Sequence, residues 1–265
     1  MNRIELAEHG IVGIRAENPG PFTLGGTNSW IVGRDPAWLV DPGPAIEAHI
    51  TALADEITAR GGLGGIALTH DHADHNEAVE TIRARFPDAP VAAARGEVDI
   101  RLAPGDTVGP LEPVPTPGHA PDHYAFVVGR AALTGDAVLG EGSVFIAPDP
   151  GALAAYLDAL RGLRARRLEI LLPGHGPPVD DPAAKLDQYI SHRLDRERRL
   201  LAALDAGDRT VDELLDRVWD DAPAALRPAA AVTLAAHLDK LQAEGRLPDG
   251  VERPGPGIRS ASEPR

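Results

Sequence analysis

The chain has 265 residues, about right for one large domain with a small appendage, and long enough to bury a sizeable core without staples. It contains no cysteine, which excludes disulfides and thiolate-held metals. Its net charge is −14, from 26 basic and 40 acidic residues; this argues against general adhesion to nucleic acid or anionic membrane, though not against a local site built on metal ions.

The opening residues, Met1-Asn2-Arg3-Ile4-Glu5-Leu6, lack the apolar run of a signal peptide, and no apolar stretch is long enough to span a bilayer. A cytoplasmic protein without a membrane partner is expected. Ile11–Ile14, Trp30–Val32 and Trp38–Val40 read as strands, the last stopped by Asp41-Pro42-Gly43-Pro44. Ala45–Arg60 places Ile46, Ile50, Leu53 and Ile57 on one helical face and ends at Gly61-Gly62. Ile66–Thr69 predicts a buried strand running into His70. Ala78, Val79, Ile82 and Phe86 then mark an amphipathic helix closed by Pro87. Val91–Ala94, Leu111–Val114, Tyr124–Val128 and Ala131–Leu133 continue the strands; Gly151–Leu163 is helical, and Leu168–Leu172 is a strand before Pro173-Gly174-His175-Gly176. Such interleaving predicts an α/β layered architecture.

Near residue 180 the pattern turns helical. Pro182–Leu204 predicts a long helix, Thr210-Val211-Asp212-Glu213 opens another with a capping-box pattern, and Leu226–Thr233 and Leu234–Gly245 read as two further helical stretches. With a hairpin-like tail, these suggest a small winged-helix-like domain. The expected division is 1–190 for the catalytic body, 191–255 for the helical domain and 256–265 for a disordered tail rich in Pro, Gly and Ser.

The strongest chemical signal is Thr69-His70-Asp71-His72-Ala73-Asp74-His75, with three imidazoles and two carboxylates directly after a buried strand. Alternate residues at a strand end point the same way, so His70 and His72 can share one metal, and Asp74 and His75 can face a second. Imidazole and carboxylate are the usual ligands of zinc. Thr116-Pro117-Gly118-His119, Thr134-Gly135-Asp136 and Pro173-Gly174-His175 each place a further donor just past a strand, where active sites of α/β folds gather.

The unbroken His-x-His-x-Asp-His pattern of His70–His75 resembles the metallo-β-lactamase superfamily. That resemblance implies a four-layer αββα sandwich, a first metal on His70, His72 and His119, a second on Asp74, His75 and His175, and Asp136 bridging them. It also implies that Asp41 orients a ligand histidine from behind. Two zinc ions are the expected cofactors, with manganese or iron able to fill an N/O site. Two metals so bridged can share a water and lower its pKa toward ~7, making a bridging hydroxide the nucleophile; Asp74 and Asp136 are then the catalytic carboxylates. The superfamily's β-lactamases usually carry Cys or Ser where this chain has Asp136, so β-lactams are not the implied substrate.

Within the superfamily, Asn18–Asn28, Leu139–Phe145 and Gln188–Arg193 resemble the β-lactamase-like protein 2 group, with Ser143 where that group has Thr. This resemblance covers nearly the whole chain and implies cleavage of single-stranded RNA, the first reading. The second is a thioester hydrolase resembling hydroxyacylglutathione hydrolase, acting on a small-molecule ester or thioester. The third is a winged-helix binding or scaffolding protein with a vestigial hydrolase body. Asn28, Ser143 and Phe145 are candidate substrate contacts, and His123 either approaches the site or supports it. His9, His49 and His237, with no motif around them, are expected at the surface. The run of Arg193, Arg196, Arg198 and Arg199 beside His192 is expected to be a solvated face laced with ion pairs, with phosphate contact as the alternative.

Overall fold

A computed structural model describes residues 2–255, so the expected tail at 256–265 lies outside the described residues. Seven strands form one sheet in chain order: β1 (Asn2–Leu6), β2 (Ile11–Arg15), β3 (Asn28–Val32), β4 (Ala37–Val40), β5 (Leu63–Ala67), β6 (Val91–Ala93) and β7 (Ile100–Arg101). β1 to β4 run as an antiparallel meander, while β4 to β7 are parallel. Parallel neighbours need crossovers. These carry α1 (Glu47–Ala59), α2 (Ala73–Asn76) and α3 (Val79–Arg85). A second sheet holds β8 (Glu112–Pro115), β9 (Tyr124–Val128), β10 (Ala131–Gly135) and β11 (Ile170–Pro173), in the order β11-β10-β9-β8, with α4 (Ala152–Ala165) between β10 and β11.

Strand residues alternate between faces, and this sequence is apolar on both. Trp30, Val32, Trp38 and Val40 face Phe126, Leu133, Ile170 and Leu172 of the other sheet. Their neighbours Ile31, Leu39 and Ile66 turn to Ile50, Leu53 and Ile57 of α1 and Ile82 of α3. The outer face of the second sheet, with Ala125, Val127, Ala132 and Leu171, packs on α4 and on Leu186 and Tyr189 of α5 (Pro182–Asp205). The result is the expected αββα sandwich. Gly65 leaves room for the Trp38 ring of the neighbouring strand: a Cβ there would come within 2.5 Å of it.

Beyond it, α5, α6 (Val211–Val218) and α7 (Arg227–Ala243) enclose a separate cluster of Leu200, Leu204, Leu214, Val218, Leu234 and Leu238. Asp181 caps α5, and Thr210 with Glu213 forms a complete capping box on α6. The two stretches read as Leu226–Thr233 and Leu234–Gly245 are one helix, because Pro228 starts it and the alanine-rich run that follows contains no breaker. Among the described residues no strand follows β11, so the expected hairpin-like tail is not formed there. Residue 190 falls inside α5. No helix among the described residues is long and apolar enough to cross a membrane.

Two expectations of solvent exposure fail. His49 and His237 are fully buried, the first with Nε2 at 2.9 Å from Ser29 Oγ, the second edge-on to the Trp219 ring; His9 is half-buried. Arg193 and Arg196 are also buried. Arg193 donates to the Val144 carbonyl and lies over the Tyr156 ring, while Arg196 donates to the Val218 carbonyl and pairs with Asp221 at 2.6 Å. Arg198 and Arg199 stay nearer solvent, paired with Asp195 and Asp220. The reason is that α5 has neighbours on two sides, the sandwich on one and α6 with α7 on the other, so polar positions fall into the junction.

Candidate metal centre

β4, β5, β8, β10 and β11 all end at one edge of the sandwich, and β3 and β9 begin there. The sheets are stitched together at that edge by Asn28 N donating to Gly174 O at 2.7 Å and Tyr124 N donating to Thr69 O at 2.8 Å. The turns leaving these strands carry Asp41, His70 to His75, His119, Asp136 and His175, so residues far apart in sequence converge.

β5 ends at Ala67, two residues before the sequence suggested, and His70 and His72 occupy the bend beyond it. His70 Nε2 and His72 Nδ1 are 2.8 Å apart, and His119 Nε2 is 3.1 Å from the same His72 nitrogen. Asp74 Oδ2 lies 3.6 Å from His75 Nε2 and 3.2 Å from His175 Nε2. Asp136 faces both groups. Its Oδ1 is 3.5 Å from His75 Nε2 and 3.4 Å from His175 Nε2, and its Oδ2 is 3.6 Å from His119 Nε2.

The outward nitrogens fix the rings. His75 Nδ1 donates to Asp41 Oδ2 at 2.9 Å, His119 Nδ1 to the Phe145 carbonyl at 3.3 Å, and His175 Nδ1 to the Gly26 carbonyl at 3.5 Å. Such oxygens only accept, so Nδ1 carries a proton and each Nε2 points inward. Asp41 is itself held by the amide of Thr69 at 2.8 Å and its hydroxyl at 2.7 Å.

The donor set fits a divalent cation. His75 Nε2 and Asp136 Oδ1 are buried with no hydrogen-bond partner among the described residues, a costly state for polar atoms. Three clusters, His70–His72–His119, His70–His75–Asp136 and Asp74–His75–His175, each bring their donor atoms within 4.8 Å of one another. Gly174 keeps this room: a Cβ would come within 2.7 Å of both Asp136 Oδ1 and His75 Cε1.

Electrostatics divide the cluster. Burial, helped by neighbouring imidazoles, drives His70 well below the ordinary histidine value, and burial takes His119 down to about 4 despite Asp136. For His75 and His175 burial also opposes the charge, but the carboxylate of Asp136 prevails, aided by Asp41 for His75 and Asp74 for His175. His75 is raised well above the ordinary value and His175 to about 9. Asp136 is held well below the carboxylate range, because His175 and His75 outweigh the effect of burial. One half thus presents neutral nitrogens, while the other holds protons that a cation would displace.

Other candidates fall into supporting places. Asn28 spends its amide on the carbonyls of Pro173 (3.0 Å) and Gly176 (2.8 Å), bracing the turn that carries His175. His123 accepts from the amide of Asp136 at 3.0 Å through Nε2 and meets Thr116 Oγ1 through Nδ1 at 2.7 Å, fixing the backbone of Asp136. Ser143 and Phe145 do line the space over the cluster, a cavity of about 550 Å³ that reaches the C-terminal helices. Sequence reasoning missed Tyr189, Trp219 and Thr233 in its wall, residues that look like ordinary helix-face positions; it also missed the role of Thr69 in holding Asp41.

Residues 95–175 match the family model for the metallo-beta-lactamase superfamily, and residues 210–249 match that for the beta-lactamase associated winged helix domain. A beta-lactamase-like protein 2 homolog of Caenorhabditis elegans is 30% identical, over 91% of this chain and 87% of its own length. An atrochrysone carboxyl ACP thioesterase of Aspergillus chevalieri is 33% identical, over 80% of this chain and 74% of its own. A beta-lactamase domain protein from Burkholderia ambifaria shares the fold with a TM-score of 0.77 at 21% identity, covering 94% of this chain and 92% of that one. Kinship through most of the chain, joined to the convergence of histidines and aspartates at one sandwich edge, makes this chain a member of the metallo-beta-lactamase superfamily of hydrolases.

Proposed function

We propose that the chain is a dinuclear metal-dependent hydrolase of small acyl esters or thioesters. His70 Nε2, His72 Nδ1 and His119 Nε2 would hold one ion, and Asp74, His75 and His175 the other, with the oxygens of Asp136 directed to both. Zinc suits these ligands first, with manganese or iron as alternatives. Ions bound there supply Lewis acidity and lower the pKa of water at the site. Asp74 is the more exposed of the two central carboxylates and lines the cavity, where it orients the attacking water and takes its proton. Phe22, Phe145 and Trp219 receive the apolar part of the acyl group and keep bulk water from the reacting bond.

The cavity carries this reading. Its volume, about 550 Å³, suits a small-molecule ligand, and its wall combines aromatic surface with a few polar groups. An RNA substrate calls for free cations along a groove. Here Arg196 and Arg199 are spent on Asp221 and Asp220, and Arg193 is tied to the Val144 carbonyl. That disposition puts the thioester reading ahead of RNA. The thioesterase among the relatives points the same way. RNA cleavage stays second, favoured by the similarity to beta-lactamase-like protein 2 homologs along most of the chain. Zinc-loaded protein assayed in parallel on an acyl thioester and on single-stranded RNA decides between them. Thioester turnover without RNA cleavage is expected; RNA cleavage without thioester turnover would restore the other order.

A further inference from the structure

The segment 137–147 leaves Asp136 and is gripped from both sides. From the helices, Tyr156 donates to the Ala137 carbonyl at 2.6 Å, Tyr189 Oη accepts from the Leu139 amide at 3.0 Å, and Lys185 donates to the Gly140 carbonyl at 2.9 Å. Further on, Arg193 of α5 donates to the Val144 carbonyl, and the Ile146 amide donates to Thr233 Oγ1 of α7 at 3.2 Å. Toward the metal cluster, the Gly140 amide donates to the His175 carbonyl at 2.9 Å and the Ala147 amide to the Gly118 carbonyl at 2.8 Å. Phe145 lies between the two gripped residues. Its carbonyl accepts from His119 Nδ1, and its ring centroid is 4.5 Å from that of His119.

Resting on the metal-centre reading above, we propose that Thr233 and Arg193 are positioning residues for His119. By fixing the backbone on either side of Phe145 they hold the carbonyl that orients this ring, so the C-terminal helices tune the affinity of the ion on His70, His72 and His119. Both residues are at most 2% exposed, and the Thr233 hydroxyl also donates to Ala229 O at 3.2 Å, which fixes its orientation toward the loop. The Val144 and Ile146 side chains are buried as well, so the loop cannot shift freely to compensate. Partners behind a ligand histidine commonly change metal affinity by about 10–100-fold when removed. Acting one link further out, Thr233 should fall near the lower end.

The test is a zinc titration of metal-free full-length protein against a chromophoric chelator, with thermal unfolding recorded for each variant. Thr233→Val, nearly isosteric but without the hydroxyl, should weaken one of two zinc ions about tenfold and leave the other unchanged. Thr233→Ser should restore wild-type values. Arg193→Met should shift the same ion in the same direction, and serves if the Val variant folds poorly. Nitrogen-15 spectra of the imidazoles should show the His119 Nδ1–H tautomer in the wild type and its loss in Thr233→Val. Wild-type affinities for both ions in both variants would overturn the inference, as would equal weakening of the two ions, the mark of general loosening. If the wild type bound no zinc at all, the reading of the metal centre would fall and this inference with it.

Discussion

Asp41 Oδ2 sits 2.9 Å from His75 Nδ1 while the amide and hydroxyl of Thr69 hold the same carboxylate, so the residue before the histidine cluster aims a histidine within it. Asp41 adopts φ of 53°, a left-handed conformation that Asn tolerates and Ala does not. Asp41→Asn should therefore lower zinc affinity by about 10–100-fold with the unfolding temperature nearly unchanged. Asp41→Ala should lose affinity and also about 1–2 kcal/mol of stability. Chelator competition and denaturant unfolding of both variants check this; full affinity in Asp41→Asn would refute the orienting role.

Asp136 is the carboxylate that both histidine groups share. Asp136→Ala should reduce turnover by more than the roughly 100-fold typical of a partner behind a ligand. The fold should survive, because the side chain is exchanged at a cavity surface. Steady-state kinetics with a circular dichroism control measures both. Turnover that persisted in the variant would refute the role of Asp136 as the carboxylate shared by the two histidine groups.

Metal uptake should release protons at neutral pH. In the metal-free protein His175 is raised to about 9, chiefly by Asp136 against the opposing effect of burial. Its folded value exceeds the ordinary 6.5, so its contribution to metal-free stability is full below pH 6.5 and fades as pH rises through about 9. A cation needs the neutral ring and must displace that proton. Calorimetric titrations in buffers of different ionisation enthalpy should show net proton release at pH 7 and markedly less above pH 9. Equal release at both would contradict the assignment.

His237 places both ring nitrogens in the interior without a hydrogen-bond partner among the described residues. Burial first, then Arg193 and Lys240, push it down to about 3. Below pH 6.5 the unfolded chain takes a proton that the folded ring refuses, so stability is lost as pH falls from 6.5 toward about 3. His237→Leu removes unsatisfied polar atoms at similar volume and should stabilise the fold by about 1–3 kcal/mol. The gain should be larger at pH 5 than at pH 7. Urea midpoints at the two pH values report it; a midpoint lowered at both would refute it.

The candidate centre is legible because four of its seven donors fall in six consecutive residues and because each remaining donor follows a short apolar run that reads as a strand. Parallel strands ending at one edge did the rest. What stayed hidden depends on layers that no single-helix pattern records. Arg193 and Arg196 look like solvent-facing charges along α5, yet α7 and Trp219 cover them. His49 and His237 carry no motif, and only the packing of α1 on the first sheet and α7 on α5 buries them. β1 carries a weak sequence signal because its alternation rests on just Ile4 and Leu6, the side chains of an edge strand.

The 24 residues of α5 make a rod roughly 36 Å long, at about 1.5 Å per residue. One end lies under the second sheet and the other forms a wall of the helical cluster, so a cut at residue 190 would sever a girder common to both. Neither half could then be excised whole, and evolutionary exchange of the C-terminal part would have to trade the floor of the sandwich along with it.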